Sequence, residues 1–235
     1  MEELFELLRF GAQGWGDELA TGVWLTIRLA LATLPLGLAI GFFVALAKNS
    51  DEPLLRAAAN VYTTIFRGVP ELLTLFIVYY GGQIVIGRIV ALVSDTYVEV
   101  SGFVAGMVAL GLVFSAFASE VFLGAFRGIG KGQYEAGSAL GLSRFQTMQL
   151  IIVPQLIRLA LPGLSNLWMV LLKDTALVSV IALDDLLRKT NIAVGATKEP
   201  FFFYFVACMI YLVMSIISSI GIDRINAWAQ RGEAR

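Results

Sequence analysis

The chain has 235 residues, of which 58% are hydrophobic and only 15% are charged, and its net charge is −1. A soluble domain carries about 25% charged residues, so this composition fits a lipid bilayer rather than water. The near-neutral charge gives no electrostatic case for nucleic-acid binding. The sequence contains no histidine, which excludes Ser-His-Asp and Cys-His catalysis and every histidine-ligated metal site. A single cysteine, Cys208, excludes an internal disulfide and a cysteine-based metal cluster.

Five apolar stretches are long enough to cross a bilayer, since a spanning helix needs about 20 mostly apolar residues. They predict an all-α integral membrane protein with one membrane domain at 21–227 and no second domain. The predicted spans cover residues 21–47, 55–86, 101–126, 159–183 and 201–222, and the second of them is interrupted at 67–71. Residues 1–20 form a short N-terminal segment, and residues 228–235 form a tail.

The basic residues predict which side of the membrane each loop occupies, because Lys and Arg concentrate in cytoplasmic loops. The segments before span one, between spans two and three, and between spans four and five contain five of them: Arg9, Arg88, Arg188, Lys189 and Lys198. The other loops and the tail contain ten: Lys48, Arg56, Arg67, Arg127, Lys131, Arg144, Arg158, Arg224, Arg231 and Arg235. We therefore expect the N-terminus outside, and the loop at 127–158 and the C-terminus inside.

The loop at 127–158 is the longest hydrophilic stretch between spans. Its residues 132–149 predict two short helices separated near Gly141, because glycine disfavours a helix interior and permits a sharp bend. The loop also carries apolar side chains, namely Tyr134, Leu140, Leu142, Phe145 and Met148. In a cytoplasmic loop such side chains either pack beneath their own helix bundle or fill a groove on a partner protein.

Three carboxylates lie within or at the edge of predicted spans: Glu71, Glu120 and Asp174. An ionisable group in the membrane costs several kcal/mol unless it is paired or hydrated, so each faces a bundle interior or a cavity. Each is therefore a candidate for substrate contact. A structural alternative stays open for all three. Lys173 and Arg67 are cations that can pair with these carboxylates, and Glu120 can form a polar contact between helices.

The motifs of the loop and of the fourth span carry a family resemblance. Glu135-Ala136-Gly137, followed by Gly141, resembles the coupling loop of bacterial ATP-binding-cassette (ABC) importer permeases, in which an E-A-A sequence and a later glycine mark the surface that docks on the ATPase. Gly137 stands where the family usually has alanine. The patterns P-Q-x-x-R-x-x-L-P-x-x-x-N-x-W from residue 154 and K-D-T-x-L-V-S from residue 173 resemble the branch that imports polar and basic amino acids and opines.

The resemblance implies the fold, the partners and the site residues. It implies five transmembrane helices of the type I ABC importer permease kind, with a cytoplasmic coupling helix between the third and fourth spans. The coupling residues are then Glu135, Ala136, Gly137 and Gly141, and the substrate candidates remain Glu71, Glu120 and Asp174. The implied partners are ABC ATPase subunits, a second permease subunit that is identical or related, and a periplasmic amino acid-binding protein, all at the bacterial inner membrane with the N-terminus in the periplasm.

The sequence gives no catalytic site or cofactor of its own. The ATP-binding pattern G-x-x-x-x-G-K-[ST] is absent, and the glycine-rich run at 128–132 lacks both its first glycine at the right spacing and the hydroxyl after the lysine. We expect a partner subunit to hydrolyse ATP. One alternative is a secondary amino acid transporter driven by an ion gradient, although the inverted repeat typical of such folds is not evident. An intramembrane enzyme is a weaker alternative, because no catalytic motif is present.

The charge distribution leads to a first testable prediction. A cysteine probe at position 139, in the loop at 127–158, is expected to be protected from a membrane-impermeant thiol reagent added to the periplasm of intact cells. The measurement is the extent of labelling before and after the membrane is made permeable. Labelling of position 139 in intact cells would show that the predicted orientation is wrong.

Overall fold

The computed structural model describes residues 4, 6–11, 14–92 and 99–230, and the regular elements in that part of the chain are helices. We number the principal ones α1 (Gly16–Lys48), α2 (Pro53–Gly68), α3 (Glu71–Ala91), α4 (Gly102–Gly128), α5 (Lys131–Ala139), α6 (Arg144–Ile181), α7 (Leu186–Thr197) and α8 (Pro200–Gln230). Five of them, α1, α3, α4, α6 and α8, are long and apolar enough to span a membrane. The predicted all-α fold with five spans is confirmed.

The second predicted span, at 55–86, requires a correction, because the structure divides it into two helices. Helix α2 ends at Gly68, and the backbone of Val69 and Pro70 is extended, with ψ of 135° at both residues. Proline disfavours the helical conformation of the residue before it, so the break falls at Val69. Only α3 has the length and composition of a span.

The fourth predicted span, at 159–183, is the second half of a longer helix. Helix α6 begins in the preceding loop at Arg144, widens into a π-helical turn at Met148–Ile152 and ends in a 3₁₀ segment at Thr175–Ile181. Pro154 lacks an N–H and its ring crowds the carbonyl four residues earlier, which the wider π turn accommodates. The loop and the span are therefore joined by one continuous helix.

Helix α4 is at the centre of the fold, since it packs against α1, α2, α3 and α6. Its closest neighbour is α1, which presents small residues at four-residue spacing to it. A Cβ atom added to Gly41 would lie 2.9 Å from the carbonyl oxygen of Ser115 and 2.9 Å from Cβ of Ala118, and one added to Gly37 would lie 2.5 Å from the ring of Phe114. Small residues at helix contacts let two backbones approach closely in a membrane. The position of α4 is thus fixed mainly by α1.

Helix α7 is attached to the other end of α1. The fully buried carboxylate of Asp185 caps α7 by accepting the N–H groups of Leu187 (3.3 Å) and Arg188 (2.9 Å). Burial raises the pKa of Asp185 to about 6, while the two N–H groups oppose that change. Lys189 of α7 also forms an ion pair with Glu18 of α1 at 2.6 Å. Both contacts are structural and lie at the end of α1 opposite the loop at 127–158.

Candidate functional site

The loop between α4 and α6 contains a sharp bend at Gly141, where the sequence predicts one. Gly141 has φ of +75°, a left-handed conformation that favours glycine. The N–H of Leu142 donates to the carbonyl of Gly137 at 3.0 Å, which closes the end of α5. Ser143 and Gln146 form a reciprocal capping box that starts α6 (3.2 and 2.9 Å). The loop is therefore a regular helix–turn–helix rather than an irregular connection.

The apolar side chains of this loop divide into two groups. Tyr134 and Met148 are partly buried and pack against the main core of the bundle. Leu140 and Phe145 flank the bend and are 76% and 74% exposed. Glu135 is also exposed. Leu140, Phe145 and the carboxylate of Glu135 thus form an exposed surface that a partner protein can bind.

Gly137 has a steric reason to be glycine. It is buried against α6, and an added Cβ would lie 2.5 Å from Cγ2 and 2.6 Å from Oγ1 of Thr147. These distances are far inside van der Waals contact. The glycine at the position where the family usually has alanine is thus matched to the threonine that faces it.

A cavity of about 280 Å³ lies between α3, α4 and α6. It brings together two of the carboxylates predicted from the sequence, Glu71 at the start of α3 and Asp174 near the end of α6. The other lining residues are Leu110, Val113, Phe114, Phe117, Asn166, Leu167, Val170 and Leu171. Sequence reasoning did not single out Val170 or the α4 residues, because an apolar side chain in a span carries no sign that it faces a cavity.

Neither carboxylate of the cavity forms a direct ion pair among the residues that the structure describes. Lys173 is exposed and forms no ion pair there, and Arg67 is bonded elsewhere. Asn166 is the one uncharged polar side chain in the described lining. Two acids in a mostly apolar cavity of the membrane are costly when alone, and a bound cation offsets part of that cost.

Glu120 is not part of this cavity. Its carboxylate lies one turn further along α4 and forms ion pairs with Lys48 of α1 and with Arg67 of α2, the latter at 3.2 Å. The Lys48 side chain is only 6% exposed. Of the two alternatives that the sequence leaves open for Glu120, these contacts favour the contact between helices. Lys48 was missed as a partner, since residues 72 apart in sequence give no local signal.

Metal binding has no structural basis in the part of the chain that the structure describes. No group of three or more carboxylates or thiols there could hold a metal ion. Two features remain: a mostly apolar cavity that contains two carboxylates, and an exposed helix–turn–helix at one end of the bundle.

The fold and these two features define a multi-pass membrane protein of the permease class. The chain belongs to the family described as binding-protein-dependent transport system inner membrane component, whose model matches residues 37–231. The family resemblance carried by the Glu135–Gly141 motif is thereby confirmed.

The chain is similar over almost its whole length to permeases of known systems. It is 39% identical to the nopaline transport system permease protein NocQ of Agrobacterium fabrum, over 96% of this chain and 97% of that protein. It is 37% identical to the arginine ABC transporter permease protein ArtQ of Escherichia coli K12 (92% and 97%). It is 36% identical to the histidine/lysine/arginine/ornithine permease protein HisQ of the same organism (88% and 90%).

Solved structures agree with this assignment. The structure of an amino acid ABC transporter with histidines superposes with a TM-score of 0.77 at 30% identity, covering 91% of this chain and 94% of that one. An inward-facing MetNI methionine ABC transporter superposes with a TM-score of 0.76, covering 91% and 97%. At 18% identity the second likeness shows the fold alone.

The contact between Gly137 and Thr147 leads to a prediction about the loop. Gly137→Ala is expected to destabilise the protein by about 1–3 kcal/mol, because the added methyl overpacks against Thr147. Adding Thr147→Ala should recover much of that loss, since it removes the two closest atoms. The measurement is the thermal unfolding midpoint in mild detergent.

Gly132→Ala is the matched control, because an added Cβ at Gly132 meets nothing within 4 Å. It should leave the unfolding midpoint unchanged or slightly raised. Equal midpoints for Gly137→Ala and Gly132→Ala would contradict the steric explanation.

Proposed function

We propose that this chain is the membrane-spanning permease subunit of an ABC importer for basic amino acids or opines. The pairing of Glu71 and Asp174 in one cavity, without a direct ion pair in the described chain, is the observation that carries the substrate class. Family membership and the names of the relatives support an ATP-driven importer over a transporter driven by an ion gradient. ATP is hydrolysed by a partner ATPase, and the permease makes and breaks no covalent bond.

The cavity suits a cationic amino acid for an electrostatic reason. Such a substrate carries an α-ammonium and a side-chain cation, which two carboxylates can neutralise. Its carboxylate can accept hydrogen bonds from the amide of Asn166, which is exposed at the cavity. A neutral amino acid leaves one acid of the pair without a partner, and an unpaired buried charge is strongly unfavourable.

Transport then proceeds by alternating access. A periplasmic binding protein delivers the substrate to the end of the bundle that carries α7. Two ATPase subunits close on ATP, and their movement reaches the permease through α5 and the start of α6. Because α6 runs from the loop to Asp174 without interruption, a displacement of the loop moves one wall of the cavity directly. A second permease subunit covers the open side of the cavity.

The helix–turn–helix at 131–148 is the proposed docking surface for the ATPase, with Glu135, Ala136, Gly137 and Gly141 as its coupling residues. Leu140 and Phe145 offer the exposed apolar area, and the left-handed Gly141 fixes the angle at which it is presented. This assignment places the loop in the cytoplasm, together with the C-terminus, and the N-terminus in the periplasm. The distribution of Lys and Arg supports that orientation.

The coupling proposal predicts the effect of a change at the bend. Gly141→Val should leave membrane insertion intact and reduce substrate-stimulated ATP hydrolysis by about tenfold or more, because a β-branched residue does not adopt φ of +75° without strain. The measurement is ATPase activity of the reconstituted complex with and without loaded binding protein.

Gly130→Val is the matched control in the same loop. Gly130 is also free of neighbours within 4 Å, but its φ of −63° suits valine. Stimulated hydrolysis at the normal level in an assembled Gly141→Val complex would exclude docking at this bend.

The substrate proposal predicts a change of selectivity. Glu71→Gln keeps the shape of the side chain and removes its charge, so it should lower arginine transport relative to glutamine transport by roughly tenfold, as expected for one lost charged hydrogen bond. The measurement is uptake of each amino acid into proteoliposomes with a binding protein that delivers both.

Glu52→Gln provides the control, since Glu52 is exposed at the start of α2 and distant in sequence from the cavity residues. It should leave the ratio unchanged. A fully assembled Glu71→Gln complex with the wild-type preference for arginine would remove Glu71 from the substrate site.

A further inference from the structure

The ion pairs of Glu120 connect three helices beside the cavity. Its carboxylate receives Lys48 from the end of α1 and Arg67 from the end of α2. The guanidinium of Arg67 also lies over the ring of Phe117, 5.5 Å from its centroid. Phe117 itself lines the cavity. The cluster thus contacts one wall of the cavity through Phe117.

The position of this wall follows from the direction of α4. The cavity residues of α4 run from Leu110 to Phe117, and Glu120 follows one turn later, toward the loop that begins after Gly128. Phe117 is therefore the last α4 side chain of the cavity on the side of the loop. Arg67 lies over the ring of Phe117 at this end and is ion-paired to Glu120.

The three partners are not equally fixed. Lys48 is 6% exposed and belongs to α1, which packs closely along α4, so Lys48 and Glu120 move as a unit. Arg67 is 45% exposed, and two extended residues, Val69 and Pro70, separate it from α3. A half-exposed ion pair contributes little to stability and can break at modest cost. Arg67 is thus the member of the cluster that can leave.

Helix α2 has a second attachment to α4 that does not depend on Arg67. The hydroxyl of Tyr62 is 2.6 Å from Oγ of Ser115 and donates to the carbonyl of Leu112 at 3.1 Å. Loss of the Arg67 contact therefore frees the guanidinium without detaching α2 from α4.

We propose that Glu120 is a positioning residue that closes the loop end of the cavity by holding Arg67 against Phe117. Release of Arg67 opens the cavity toward the cytoplasm. This inference rests on the proposed function, since it assumes that the cavity holds the substrate. Under this proposal, Glu120 controls access to the cavity and does not bind the substrate.

The experiment measures access to the cavity in the complete importer complex. Val170→Cys, in a Cys208→Ser background, places a thiol in the cavity lining, and an impermeant maleimide is added on the loop side of inside-out vesicles without nucleotide. Glu120→Gln is expected to raise the labelling rate roughly fivefold, the population shift that follows from losing a partly exposed ion pair. The preference for basic over neutral substrates should not change.

Arg67→Gln separates closure from folding, because it leaves the partly buried pair of Lys48 and Glu120 intact. It should raise the labelling rate as Glu120→Gln does, and the double variant should label no faster than Glu120→Gln alone, since both changes remove the contact between Arg67 and Glu120. Glu18→Gln is the control. It removes an ion pair with Lys189 at the opposite end of α1 and should leave labelling unchanged.

Two results would overturn the proposal. One is labelling at the wild-type rate in assembled Glu120→Gln and Arg67→Gln complexes. The other is a loss of basic-substrate preference in Glu120→Gln at an unchanged labelling rate, which would make Glu120 a substrate ligand. Failure of the proposed function is a separate outcome, because the labelling rate does not depend on which cargo is carried, whereas the Glu71→Gln selectivity does.

Discussion

The close packing of α1 on α4 is the contact on which the other features depend. Glycines at 37 and 41 bring the two backbones together along the middle of the membrane domain. Three features follow one another along α4: the cavity wall at 110–117, the ion-paired Glu120, and the connection to α5 and α6 after Gly128. Because α1 packs closely along α4, we expect these two helices to move together. Movement relative to them then involves the other neighbours of α4, namely α2, α3 and α6.

Charge inside the membrane separates structure from transport in this protein. Glu120 is paired with two cations from its own chain, whereas Glu71 and Asp174 form no direct ion pair in the described residues. A paired intramembrane carboxylate holds helices together, and an unpaired one in a cavity is a place for a mobile cation. The same residue type thus has two roles in the proposed mechanism, and its partners rather than its depth in the membrane distinguish them.

Hydropathy and motifs predicted the spans and the family, but they did not locate every boundary or contact. The break at Val69 and Pro70 was visible as an interruption, yet the apolar character on both sides of it suggested one span at 55–86. The Lys48–Glu120–Arg67 cluster joins residues far apart in sequence, for which no periodic pattern exists. The sequence shows that residue 137 is a glycine where the family usually has alanine. The steric reason is visible only in the structure, where Thr147 leaves no space for a side chain at this position.

The polar residues of α6 bear on the proposed second permease subunit. Asn166 and Lys173 are exposed on a helix that has the length and composition of a span, and Asn166 also lines the cavity. Lipid does not solvate an amide and an ammonium at low cost, so this face has to meet water, another polar surface, or both. A second permease subunit, as proposed above, would supply such a surface and enclose water in the cavity. Under that proposal, the cost of leaving these groups exposed to lipid is a driving force for assembly of the two subunits.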